Sequence, residues 1–90
     1  MNLTKIIAEF VGTFVFIGVV LSSGEAIPIG LALAVVIFLI GKVSGGHVNP
    51  AVSAALYAKG DINLSTFASY FVVQILGALC ALMWFKYNSK

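Results

Sequence analysis

The sequence predicts an all-α membrane protein with three membrane-crossing helices and one re-entrant half-helix. Three observations carry this expectation. Of 90 residues, 61% are hydrophobic and 9% charged, against about 25% charged in a soluble domain. The few charges stand at the edges of long apolar blocks, with none in 26–41 or 62–85. Between the second and third blocks lies a Gly- and Pro-containing segment that is mostly uncharged but too short to cross a bilayer as a helix. A soluble domain this small leaves too much of its surface in water to hide so many apolar side chains. The same composition excludes a disordered chain. A net charge of +2 without a basic cluster excludes a nucleic-acid module. The single cysteine, Cys80, forms neither an intrachain disulfide nor a zinc site.

A crossing helix needs about 20 mostly apolar residues. The first span is expected over 4–21, bounded by Lys5 and Glu25 and interrupted by Glu9. Lys5, the apolar run and Ser22, Ser23 and Gly24 loosely fit a signal peptide. Glu9 and the two further spans argue against that reading. The second span is expected over 28–43, with Pro28 in the first turn, where its missing N–H is no loss. The third is expected over 65–84, with Asn63, Ser65 and Thr66 as cap candidates and Trp84 and Tyr87 beside Lys86 at the membrane–water boundary. Gly12, Gly18, Gly30, Gly41 and Gly77 allow close helix contacts. Phe14, Phe16, Phe38, Phe67 and Phe71 read as lipid-facing or core residues.

The intervening segment, 44–58, splits in two. Its first part, with Gly45 and Gly46, reads as extended. Its second part reads as a short helix: Asn49 is an N-cap, Pro50 a first helical residue and Gly60 a C-terminal stop. Irregular backbone at membrane depth is tolerated only where protein buries it or water wets it, so this segment is expected to line a cavity. The half-helix N-terminus carries unpaired N–H groups and partial positive charge. Asn49 adds two amide donors. The stretch before it offers carbonyl acceptors from Ser44 to His47. Together these make a track for neutral hydrogen-bonding solutes that opposes cations.

Ser44-Gly45-Gly46-His47-Val48-Asn49-Pro50-Ala51-Val52-Ser53 resembles the first signature loop of the aquaporin family, the major intrinsic proteins. Glu9-Phe10-Val11-Gly12-Thr13-Phe14 resembles the family's first-helix motif, and Tyr70, Gln74, Gly77 and Ala78 match its third helix. The resemblance covers essentially the whole chain, which looks like the N-terminal one of the family's two inverted halves. It implies an integral membrane channel for water or small neutral solutes such as glycerol, with no enzymatic step, cofactor or metal. It also implies a second half: a copy in opposite orientation, giving a homo-oligomer, or a separate chain. With the N-terminus inside, Lys5, Lys42 and Lys59 oppose Lys86 and Lys90, a bias of about one residue that permits both orientations.

The resemblance assigns pore lining to Asn49, Pro50 and Ala51 and carbonyls to Gly45, Gly46 and His47. Val52 stands where the family's second half has an arginine, and Ile29 falls at the outer constriction, which makes the filter less polar than that of a strict water channel. Asn49 and Pro50 also fit a plain cap and helix start. His47 has no evident partner to set a tautomer or a metal site. Two readings stand for Glu9. It braces the re-entrant loop, with Gln74 as a buried partner, or it couples protons, as in small dual-topology exporters. A truncated, non-conducting subunit is the third reading of the chain. Gly12 and Gly77 are assigned to helix packing.

Overall fold

A computed structural model describes residues 2–88. Four helices follow one another: α1 (Leu3–Ser23), α2 (Ala26–Ser44), α3 (Pro50–Lys59) and α4 (Leu64–Asn88). At 1.5 Å per residue, α1, α2 and α4 are about 28–38 Å long and match the hydrocarbon core, whereas α3 reaches about 15 Å, half of it. The longest dimension of the chain is 42 Å, the thickness of a bilayer with its headgroup layers. Each span runs one to four residues beyond its expected limits: Leu3, Ala26, Ile27 and Leu64 join at the starts, and Ser22, Ser23, Ser44 and residues 85–88 at the ends. Asn2 caps α1 by accepting from the Lys5 N–H at 3.1 Å. Of the three cap candidates for α4, Asn63 acts, accepting from the Thr66 N–H at 2.8 Å, while Ser65 and Thr66 lie inside the helix. Pro28 is the third residue of α2, still within the first turn. Lys90 lies outside the described residues.

The helix α1 stands in the middle, packed on α2 at one side and α4 at the other, while α3 rests on α4. Glu9 meets Gln74, and one turn on Thr13 meets Gly77, so α1 and α4 run parallel. The burial pattern is inverted relative to a protein in water. Glu9, Thr13, Ser44, His47, Ser53 and Gln74 are buried, while Phe38 is 84% exposed in the company of Leu3, Ile27, Leu31, Leu39 and Met83. Polar groups collect inside and apolar ones outside because lipid is the solvent.

Two of the five glycines expected to permit close approach do so tightly. A Cβ on Gly77 would lie 2.7 Å from the Phe10 carbonyl oxygen and 3.3 Å from the Phe14 nitrogen. One on Gly12 would meet Ile40, Val48 and Val36 at 2.7–3.0 Å. Gly41 is looser, with one neighbour at 3.9 Å, and Gly18 and Gly30 face open space, so they do not pack within this chain. Gly77→Ala is therefore expected to lower stability by ~1–3 kcal/mol, since the obstructing atoms are backbone and cannot turn aside. Gly18→Ala should change it by less than ~0.5 kcal/mol. The unfolding midpoint of each variant in detergent measures the difference.

Candidate functional site

The site is built on the passage from α2 to α3. The end of α2 turns out of helical geometry at Gly45 (φ 96) and Gly46 (φ 65), backbone that a Cβ would strain. The chain then presents two consecutive N–H groups to one side chain. His47 donates to Glu9 Oε2 at 3.0 Å and Val48 to Glu9 Oε1 at 2.8 Å. The Ser44 hydroxyl donates to Oε2 at 2.6 Å and Gln74 Nε2 to Oε1 at 2.9 Å. Glu9 is 0% exposed. Each carboxylate oxygen thus has two donors, which fills its lone pairs. Charge-assisted bonds of this kind are about twice as strong as neutral ones.

The network extends past the carboxylate. The Tyr70 hydroxyl donates to the Ser44 carbonyl at 2.7 Å. Gln74 Nε2 also donates to Ser53 Oγ at 3.0 Å, tying α4 to α3. His47 Nδ1 and Ser53 Oγ are hydrogen-bonded at 2.7 Å, and the His47 ring meets Tyr70 edge-on with centroids 5.0 Å apart. This corrects the expectation that His47 has no partner: Ser53, six residues on, is brought back by the first turns of α3. Gln74 Oε1 and Thr13 Oγ1 are buried without a partner among the described residues.

A trans peptide points its N–H and C=O in opposite directions, and there is no cis bond among the described residues. The peptides that give the His47 and Val48 N–H groups to Glu9 therefore aim the Gly46 and His47 carbonyls away from it. Asn49, extended at φ −160, caps α3 by accepting from the Ala51 N–H at 2.8 Å through Oδ1. Pro50 has no N–H, and Ser53 donates to the Asn49 carbonyl at 3.1 Å. The Val52 N–H and the Asn49 amide nitrogen are left as donors at the exposed start of α3. Gly45, Asn49, Ala51 and Val52 are exposed, Pro50 half-buried, and Gly46 and His47 buried. Ile29, half-buried near the start of α2, lies at the opposite end of that helix from the loop and is not brought to it.

Sequence reasoning missed the parts played by Ser44, Ser53 and Tyr70. Their signal was small or hydroxyl-bearing residues inside apolar helices, but nothing in their spacing says which one faces Glu9.

The family model for Major intrinsic protein matches residues 1–89. The chain belongs to the major intrinsic protein family. With three helices of membrane-crossing length and composition, it is an integral, multi-pass membrane protein. It is 41% identical over 86 residues to glycerol uptake facilitator protein-like 6 of Lactiplantibacillus plantarum, covering 86% of this chain and 40% of that protein. It is 34% identical over 99 residues to aquaporin Z of Rhodopseudomonas palustris, covering 90% and 40%. It is 38% identical over 93 residues to aquaporin NIP1-1 of Arabidopsis thaliana, covering 88% and 31%. The chain thus spans about 40% of the length of the first two relatives. No solved structure matches the chain.

Glu9→Gln turns one acceptor oxygen into a donor that faces donors. At ~1–3 kcal/mol for each buried group left unpaired, the variant is expected to lose ~2–6 kcal/mol of stability. Thermal unfolding of the purified protein in detergent reads this loss.

Proposed function

We propose that the chain is one half of a passive channel for water or small neutral solutes such as glycerol. The observation that carries this reading is the exposed start of α3. The Asn49 amide and the Val52 N–H are left as donors there, the Gly46 and His47 carbonyls of the preceding loop point away from Glu9, and the long helices expose many large apolar side chains. A solute oxygen accepts from the Asn49 amide while its hydrogen goes to a carbonyl of the loop. The solute exchanges one hydrogen bond for another and meets no deep minimum. The partial positive charge at the helix start opposes cations. No covalent step and no cofactor enter.

One half supplies one wall. A second half facing the first across the Asn49 corner closes the path, either a second copy of this chain in opposite orientation or a separate chain. In the homomeric case every half carries Val52 and none an arginine at that position, so the helix starts and asparagines alone exclude ions. Proton-coupled transport through Glu9 requires that carboxylate to exchange with water. Its four donors and complete burial support the bracing role instead.

Proteoliposomes containing only this chain, shocked osmotically and followed by stopped-flow light scattering, test the reading. The expected result is shrinkage several-fold faster than in empty liposomes, with a weak temperature dependence. Asn49→Asp keeps the Oδ1 cap but replaces the amide donors by negative charge, and should bring the rate close to that of empty liposomes. Shrinkage of the folded wild-type chain at the empty-liposome rate, for both water and glycerol gradients, contradicts a channel built from copies of this half.

A further inference from the structure

Among the described residues, Val48 is the one non-glycine with positive φ, at 44. For a β-branched side chain this backbone is a true outlier, and it stands next to Asn49. Strain of this kind persists only where the surroundings over-determine it. Two anchors meet at Val48. Its N–H is held by Glu9 Oε1 at 2.8 Å. Its side chain is 2% exposed, and Cγ1 lies 2.9 Å from where a Cβ of residue 12 would be. The same point is 3.0 Å from Val36 Cγ1 and 2.7 Å from Ile40 Cδ1. The side chain of Val48 thus sits in a notch that exists because α1 has glycine at 12.

The torsion φ describes rotation about the N–Cα bond. Glu9 fixes the direction of the N–H at one end of that bond, which sets the His47–Val48 peptide. It leaves rotation about the bond free. The notch fixes the direction of Cβ at the other end. Only the two anchors together determine φ, which places the carbonyl carbon of Val48 and so, together with ψ, sets where the next peptide and Asn49 are aimed.

We propose that Val48 is a positioning residue. Its side chain, seated at Gly12 between Val36 and Ile40, holds the left-handed backbone that aims the Asn49 amide at the solute path. Gly12 and Val48 are then a size-matched pair, and α1 sets the solute corner through two contacts, Glu9 and Gly12. The functional part rests on the channel reading above; the conformational part does not.

The test uses the full chain with wild type, Val48→Ala, Gly12→Ala and the double variant Gly12→Ala/Val48→Ala. Two quantities are read. The Cα and Cβ chemical shifts of residue 48 in detergent or nanodiscs distinguish left-handed from extended backbone. Osmotic permeability per protein is measured in proteoliposomes. Gly12→Ala is expected to move the residue 48 shifts to extended values, while the His47 and Val48 amides stay protected by Glu9. Permeability should fall several-fold. The double variant, in which the methyl group at 12 fills the space vacated at 48, is expected to recover left-handed shifts and most of the permeability. Val48→Ala alone leaves the notch half-filled and should give intermediate shifts; it introduces no clash and reports even if Gly12→Ala does not fold. Left-handed shifts unchanged in Gly12→Ala, or in Val48→Ala where Gly12→Ala is lost, overturn the proposal. So does a double variant whose permeability falls by the product of the single losses. A wild type that conducts nothing, with shifts behaving as expected, overturns the channel reading and leaves the seating of Val48 established.

Discussion

Backbone that leaves helical geometry at membrane depth needs protein or water to satisfy it, and Glu9 meets that need on the buried side of the turn from α2 to α3. One carboxylate accepts the two N–H groups of His47 and Val48, where the loop departs furthest from helix, together with Ser44 and Gln74. A neutral side chain of similar size offers fewer acceptor sites. The carboxylate is costly to bury in lipid, and four donors offset that cost only if all four are in place. The loop and the carboxylate therefore require each other. The direction of the loop carbonyls follows from where its N–H groups are held.

The rest of the fold serves that arrangement. Gly77 lets α4 approach α1 closely enough for Gln74 to reach both Glu9 and Ser53, so a single amide joins α1, α3 and α4. Tyr70 secures the Ser44 carbonyl at the end of α2. The short helix α3 packs on α4 through both kinds of contact: Ser53 accepts from Gln74, and Tyr57 stacks on Phe67 with ring centroids 5.3 Å apart. A small protein in water places such groups outside; here the apolar rows of α1, α2 and α4 face lipid and the polar interior gives the chain a defined shape.

Much of this was legible in the sequence. Charge-poor apolar blocks outline the three spans to within a few residues, since length and hydropathy are what the bilayer selects. Asn49-Pro50 and Gly60 gave both ends of α3, because caps are local chemistry. Glu9 stood out as a carboxylate inside an apolar block. The partners of Glu9 and His47 were less legible. Ser44 and Ser53 are ordinary residues whose importance comes from the angle at which α2 and α3 arrive. The left-handed backbone at Val48 was invisible, because valine gives no local signal for it and the notch at Gly12 lies 36 positions away in the chain. Gly18 and Gly30 show the reverse: glycine in a membrane helix suggests close packing, and within this chain none is found there.

Hydrogen–deuterium exchange of the backbone amides reads the hold of Glu9 on the loop residue by residue. Outside the helices, the His47 and Val48 N–H groups should exchange far more slowly than those of Ile62 and Asn63 in the α3–α4 connection, and that protection should vanish in Glu9→Gln while the centres of α1 and α4 remain protected. Rapid exchange at His47 and Val48 in the wild-type chain, or protection that survives the loss of the carboxylate, would show that Glu9 does not hold the loop.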